Sequence, residues 1–336
     1  MKFSVIIPVY NRPDEVDELL QSLKAQDFKD FEMVIVEDGS SLPCKDVIDK
    51  YISDLNIRYF FKENSGPGLS RNFGMEKAEG QYMVFFDSDC VIPSNYFSAV
   101  NASLEQKHLD AYGGPDAAHE SFTNIQKAIN YAMTSFFTTG GIRGRKKQLD
   151  KFQPRSFNMG FTKEVYNKVG GFSTLHPGED PDLSYRIMAA GFRTGLIPEA
   201  YVYHKRRIDF GKFAKQVYKF GVVRSVLIKW HKGTFKFVYA LPSLFLLGTI
   251  AILLGAIFIN KIFIYPLLLF ALLVFVDSLM QTKNLGIALL SIYASFIQLL
   301  AYGVGFIKGV WKILILKKDE RKSLPGFFFK DSQVAQ

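Results

Sequence analysis

The sequence predicts an α/β domain built on a mostly parallel central sheet, followed by an amphipathic helix at a membrane surface and C-terminal transmembrane helices. Three observations lead there. Strand-like apolar runs alternate with segments of helical period through residues 1–90, and polar residues punctuate the end of each run. Residues 237–307 then hold only Lys261, Asp277 and Lys283 as charged side chains.

The elements follow in order. "FSVIIPVY" is a buried strand that stops at Asn11 and Arg12, and "RPDEVDELLQSLKAQ" places Val16, Leu19, Leu20 and Leu23 on one helix face. "FEMVIVEDGS" is a second strand, closed by Asp38, Gly39 and Ser40, with "KDVIDKYIS" helical after it. "IRYFFKE" is a third, ending at "NSGPG"; a helix over 69–78 then leads to a fourth, "QYMVFFDSDC". In such a sheet ligands collect at the carboxyl ends of the strands. The strand ends here carry Asn11 and Arg12, Glu37 and Asp38, residues 64–68, and Asp87 to Asp89.

Composition sets bounds on the rest. The 336 residues are 48% hydrophobic and 22% charged, which excludes disorder as the main theme. The net charge of +9 includes basic residues clustered beside the apolar region, pointing to anionic lipid headgroups and a phosphorylated substrate, not to nucleic acid. Cys44 and Cys90 form neither a disulfide framework nor a CxxC metal pattern, so reduced, inert thiols are expected. The first apolar run is short, broken by Pro8 and lacks a small-residue cleavage site, so the soluble part is expected to stay in the cytoplasm.

The strand tips suggest the chemistry. Side chains alternate along a strand, so Asp87 and Asp89 in "FFDSDC" would share a face and act on one divalent cation, or on a ribose and a cation together. Mutual repulsion of the two carboxylates would be relieved by Mn2+ or Mg2+, and a nucleoside diphosphate would supply further oxygen ligands. In "NSGPGLSRNFG", Gly66 and Gly68 allow close backbone approach, a helix N-terminus offers N–H groups, and Arg71 adds positive charge. "HPGEDPDLSYRIMAAGF" gathers Glu179, Asp180 and Asp182 at a helix start, with Pro181 suited to the first helical position and Asp180 to the N-cap. Asp180 or Glu179 would serve as general base, and His204 as a third metal ligand.

"VIIPVYNR" within 4–12, "VIVEDGS" at 34–40, "SGPGLSRNFGMEKAEGQYMVFFDSDC" at 65–90, and "FNMGFTKEVYNKVGGF" followed by "GEDPDL" stand in an order that resembles the inverting family 2 glycosyltransferases of the GT-A fold. The resemblance implies a nucleotide-sugar donor contacted by Pro8, Tyr10, Asn11, Arg12, Glu37, Asp38, Gly68, Arg71, Asp87 and Ser88. It implies Asp38 near base and ribose, Asp87 near the ribose, Asp89 on the metal with His204 beside it, and Asp180 deprotonating an acceptor hydroxyl. Glu37 stands where relatives often have Asp, and Cys90 follows the DSD where Asp is common. The QxxRW string of processive synthases is replaced by "QVYKF" at 216–220, which speaks for transfer of a single sugar. A processive synthase, a nucleotidyltransferase and a non-catalytic nucleotide-sugar-binding scaffold are the alternatives.

The expected organisation is a cytoplasmic catalytic domain over 1–208, an amphipathic surface helix within 209–236, apolar segments at about 237–259, 262–280 and 285–307, and a basic tail over 308–336. Segments of this length suffice to cross a hydrocarbon core that needs about 20 helical residues. The chain is thus expected in the cell inner membrane as a multi-pass protein, acting on a lipid-linked or membrane-proximal acceptor. A basic loop at 142–156 would close over the diphosphate, meet a lipid phosphate, or simply be solvated. Three crossings from a cytoplasmic start would place the lysine-rich tail outside, against the positive-inside tendency, so either one segment is re-entrant or interfacial or the charge rule fails here.

Overall fold

A computed structural model of the protein describes residues 1–117, 122–139, 152–205 and 209–330. Most of the basic loop at 142–156 and the end of the tail, 331–336, lie outside the described residues. The elements run β1 (Phe3–Val9), α1 (Pro13–Lys24), β2 (Phe31–Asp38), α2 (Lys45–Ile48), β3 (Ile57–Lys62), α3 (Pro67–Lys77), β4 (Tyr82–Phe86), β5 (Cys90–Val91), α4 (Tyr96–Gln106), β6 (Ala111–Gly113) and β7 (Asp116–Ala117). They continue with α5 (Asn124–Thr134), α6 (Phe136–Thr139), β8 (Asn158–Thr162), α7 (Lys163–Val169), α8 (Glu179–Ala189), β9 (Thr194–Leu196), β10 (Val202–His204), α9 (Phe210–Trp230), α10 (Leu241–Phe258), α11 (Tyr265–Thr282) and α12 (Leu285–Gly309). Two compact units result: Met1–His119 with Gln148–His204 and Gly326–Gln336, and Glu120–Lys147 with Lys205–Pro325.

The first unit is a seven-stranded sheet in the order β3-β2-β1-β4-β8-β6-β9. β1 pairs in parallel with β2 and β4, β2 with β3, and β6 with β9, while β8 runs antiparallel between β4 and β6. Continuous apolar runs belong in such a sheet because both faces are covered. On one face α1 buries Val16, Leu19, Leu20 and Leu23 against Phe3, Val5 and Ile7. On the other, Met75 of α3 and Leu183 and Ile187 of α8 cover Ile6, Val34 and Phe85. A Cβ on Gly74 would lie 2.5 Å from Ile6, so α3 rests directly on β1. A small sheet, β5-β10-β7, sits beside the end of β4.

Some boundaries differ from expectation. α2 is a single turn, not a helix through residue 53, because the chain closes in tight turns (Tyr51 N–H to Ile48 O, 2.8 Å) that bury Ile48 and Leu55. α3 starts at Pro67, two residues early, since proline's missing N–H costs nothing at a helix start and Gly66 at φ 92° turns the chain into it.

In the second unit α5 opens with a capping box between Thr123 and Gln126. Asp209 caps α9 by accepting the Lys212 N–H at 2.6 Å. α9 and α12 lie side by side through glycine: Cβ atoms added at Gly221 or Gly305 would stand 2.3 and 2.1 Å from the carbonyl oxygens of Tyr302 and Tyr218. Three helices, Leu241–Phe258, Lys261–Thr282 and Leu285–Ile315, are long and apolar enough to cross a membrane.

Candidate active site

β4 ends at Phe86, and the next residues turn back at once, with the Cys90 N–H on the Asp87 carbonyl at 3.1 Å. Asp87 and Asp89 are therefore brought together by a turn and not, as expected, by the alternation of a strand. β5 pairs antiparallel with β10, setting His204 opposite Cys90. This delivers His204 Nε2 to 3.1 Å from Asp89 Oδ1 and 3.8 Å from Asp87 Oδ2. Its ring stacks on Phe157 with centroids 4.8 Å apart, which fixes the imidazole plane. Arg12 reaches in from the start of α1, its guanidinium 3.0 Å from Asp89 Oδ2 and 2.6 Å from Glu15.

Asp89 and His204 bring a carboxylate oxygen and an imidazole nitrogen together, with an Asp87 oxygen 3.8 Å from that same nitrogen, a mixed donor set of a kind that takes Mn2+ or Mg2+. The Cys90 sulfur also lies within 4.8 Å of ligand atoms of Asp89 and His204. Burial first, then Asp89 and Asp87, push its thiol pKa well up.

Arg71 of α3 is buried and bridges two acids, bonding Asp87 directly and standing 3.4 Å from Glu179. Burial opposes its charge, but Asp87 and then Glu179 outweigh this and hold it protonated. Glu179 is also buried, accepting the Gly178 N–H at 2.9 Å and lying 3.1 Å from His176 Nδ1. Burial would raise its pKa; His176 and, after it, Arg71 reverse that and bring the carboxyl down to about 2. Asp180 is not the N-cap. Gly178 takes that place at φ 123°, a backbone conformation that suits glycine, and the helix starts at Glu179. Asp180 falls in the first turn, 3.6 Å from Arg155 and more exposed than Glu179.

The other candidates divide into two groups. Glu37 is fully buried, accepting from the Ser40 hydroxyl, from the Cys44 N–H at 2.8 Å and from the Tyr59 hydroxyl at 3.3 Å. It braces the turn after β2. Asp38 accepts from Lys62, from the Ser65 N–H at 2.9 Å and from the Gly66 N–H at 2.8 Å, so it ties the glycine loop to β2. Gly68 is packed on the chain at Ser173, where a Cβ would stand 3.0 Å from the carbonyl oxygen. Pro8 is partly buried in β1, Ser88 is buried, and Tyr10 is exposed. Asn11 adopts φ 55° and receives the Leu42 N–H at 2.9 Å on its side chain. Sequence reasoning missed Arg155, Phe157 and His176. The only cue was their closeness to motif residues, since each contact joins elements remote from one another or a turn that composition does not reveal.

Residues 4–170 match the sequence profile described as Glycosyl transferase family 2. A poly(ribitol-phosphate) beta-N-acetylglucosaminyltransferase of Staphylococcus aureus is 39% identical over 114 residues, 33% of this chain and 20% of its own length. A GalNAc(5)-diNAcBac-PP-undecaprenol beta-1,3-glucosyltransferase of Campylobacter jejuni is 31% identical over 115 residues, 33% of this chain and 37% of its own length. The chain thus spans well under half the length of these relatives. A mannosyltransferase from Pyrobaculum calidifontis, solved with GDP-Man and Mn2+, superposes with a TM-score of 0.63 at 17% identity, covering 92% of this chain and 87% of that one. It shares the GT-A fold. With the motifs of residues 4–170 carried on that fold, the chain belongs to glycosyl transferase family 2.

Proposed function

We propose that the protein transfers a single sugar, with inversion, from a nucleotide-diphosphate sugar to a hydroxyl of a lipid-linked or membrane-proximal acceptor. The observation that carries this reading is the meeting of Asp89 and His204 beyond the carboxyl end of β4, with Asp87 3.8 Å from the same imidazole and Asp180 at the start of α8, in a family 2 domain. The name of the Campylobacter jejuni relative supports a polyprenyl-linked acceptor, and the GDP-Man and Mn2+ of the Pyrobaculum neighbour support a sugar nucleotide and a divalent ion.

Each residue then has a distinct role. Asp89, Asp87 and His204 would hold Mn2+ or Mg2+, which neutralises charge on the departing nucleoside diphosphate. Arg12, beside Asp89, adds positive charge at the same end. Asp180 takes the proton from the acceptor hydroxyl as that oxygen attacks the anomeric carbon from the side opposite the leaving group. Glu179 is unsuited to proton abstraction, because its carboxyl sits at about 2 and its oxygens are occupied by His176, Arg71 and the Gly178 N–H. Arg71 instead locks Asp87 to Glu179, keeping the donor end and the acceptor end of the site in fixed register. The chain would work at the inner membrane with this domain on the cytoplasmic side.

The test is to incubate the purified full chain with a panel of nucleotide sugars and a membrane-lipid extract. Release of a nucleoside diphosphate from one donor, stimulated by the extract, is expected. Pyrophosphate release from a nucleoside triphosphate, with no diphosphate from any sugar nucleotide, would overturn the reading in favour of nucleotidyl transfer.

A further inference from the structure

Three apolar helices invite three crossings, yet three crossings would carry the C-terminus to the side opposite the N-terminal domain. We infer that only α10 and α11 cross, as a hairpin, and that α12 lies along the membrane surface beside α9, returning the C-terminus to the side of the catalytic unit. This holds whatever reaction the domain performs.

Distances along α12 speak against a third crossing. α10 and α11 are antiparallel: the Phe245 and Phe270 rings are 5.0 Å apart, and a Cβ on Gly255 would touch Phe263 at 3.0 Å. α12 begins at the exit of α11, where the Ser278 hydroxyl bonds the Ser291 hydroxyl at 2.8 Å. A helix crossing from there would have advanced about 27 Å by Gly303, to the level of the far end of α10 near Phe258. Gly303 is instead back at the hairpin's entrance. Its carbonyl accepts from the Ser243 hydroxyl at 3.1 Å, and a Cβ on it would stand 2.6 Å from the Pro242 carbonyl oxygen, in the first turn of α10.

The neighbour of α12 also holds it at the surface. α12 runs parallel to α9 from Tyr293, whose ring is 4.9 Å from Phe210, to Gly309, where a Cβ would be 2.7 Å from the Val222 carbonyl oxygen. α9 carries Lys212, Lys215, Lys219, Arg224 and Lys229, and each such charge at the centre of a bilayer costs about 3 kcal/mol or more. A helix locked to α9 along this length stays out of the hydrocarbon centre with it. Accordingly 39% of the most apolar stretch of this third helix is buried within the protein, against 17% and 11% for the two hairpin helices. Its exposed apolar residues, Leu285, Leu289, Tyr293, Val304, Ile307 and Trp311, recur at helical spacing, as in a helix that wets one face in lipid.

The tail leads to the same topology independently of helix geometry. The Phe329 N–H donates to the Thr174 carbonyl at 3.0 Å, and the His176 N–H to the Phe327 carbonyl at 2.8 Å. Residues 326–330 are thereby hydrogen-bonded to the backbone of the N-terminal unit, next to the segment that carries Glu179, and must share its side of the membrane. Lys308, Lys312, Lys317, Lys318, Arg321 and Lys322 then lie on that side too, and the charge asymmetry conflict of three crossings disappears.

Single cysteines at exposed positions test this in the full chain expressed in cells, the native Cys44 and Cys90 being buried. Lys24→Cys reports the catalytic unit, Asn260→Cys the hairpin tip and Lys330→Cys the tail, each treated with a membrane-impermeant maleimide before and after permeabilisation. The expected result is Asn260→Cys labelled in one condition and both Lys24→Cys and Lys330→Cys in the other. Tail labelling that follows Asn260→Cys would establish an odd number of crossings, and a tip that follows Lys24→Cys would mean no crossing; either overturns the inference.

Discussion

Replacing Glu179 by glutamine removes one charge and little volume, from a carboxyl enclosed by His176, Arg71 and the Gly178 N–H. Its pKa falls from an ordinary 4.5 to about 2 in the folded protein. A depressed acid stabilises the fold above its unfolded pKa, and that contribution is lost as pH falls through the folded value. The shift corresponds to about 3 kcal/mol near pH 5, shrinking to about 1 kcal/mol near pH 3. Glu179→Gln should therefore lower Tm by roughly 6–12 °C at pH 5 for a unit of this size, with the gap to wild type narrowing as the pH approaches 3. Thermal melts of the detergent-solubilised full chain at pH 7, 5, 4 and 3 would measure it. An unchanged Tm at pH 5, or a gap that stays constant from pH 5 to pH 3, would refute the assignment of Glu179 as an ionised strut and reopen it as a base.

Asp180→Asn should leave Tm within a degree or so of wild type yet lower the turnover of sugar transfer by about 100-fold or more, the usual cost of losing a positioned base; nucleotide-sugar affinity, measured by calorimetry, should stay unchanged. Gly305→Leu should disrupt the seam between α9 and α12, because even the first added carbon would stand 2.1 Å from the Tyr218 carbonyl oxygen. Overpacking of this kind typically costs about 1–3 kcal/mol and more where backbone blocks the way, and should appear as a lower Tm and earlier aggregation in detergent than for the control Gly248→Leu, whose Cβ meets nothing.

Much of the sheet was legible because its strands are continuous apolar runs with polar stops, and a doubly covered strand has no other pattern to show. The stops also marked the rim on which Asp87, Asp89 and Asp38 lie. What the pattern could not reveal was which polar residue spends itself internally. Glu37 and Asp38 are adjacent and look alike, yet the first braces its own turn while the second binds a loop beyond β3. Asp180 reads as an N-cap beside Pro181, but the φ of 123° at Gly178 starts the helix earlier, and a backbone angle leaves no trace in residue type beyond the glycine itself. The stacking of Phe157 on His204 and the approach of Arg155 to Asp180 depend on tertiary placement alone. The third apolar segment was legible as apolar, but hydropathy measures composition. Glycines that admit α9 against α12 are as apolar as those that face lipid, so only contacts separate a buried surface helix from a crossing one.

In the proposed function Asp87, Asp89 and His204 hold the cation that carries a nucleoside diphosphate. Electron paramagnetic resonance of Mn2+ titrated into the full chain, with and without a nucleoside diphosphate, tests it without any need for the acceptor. Wild type should show one bound ion whose affinity rises with nucleotide, and Asp89→Asn and His204→Ala should each weaken it by about 10-fold or more, as loss of a ligand or its supporting shell does elsewhere. Undiminished Mn2+ binding in both variants would contradict the account.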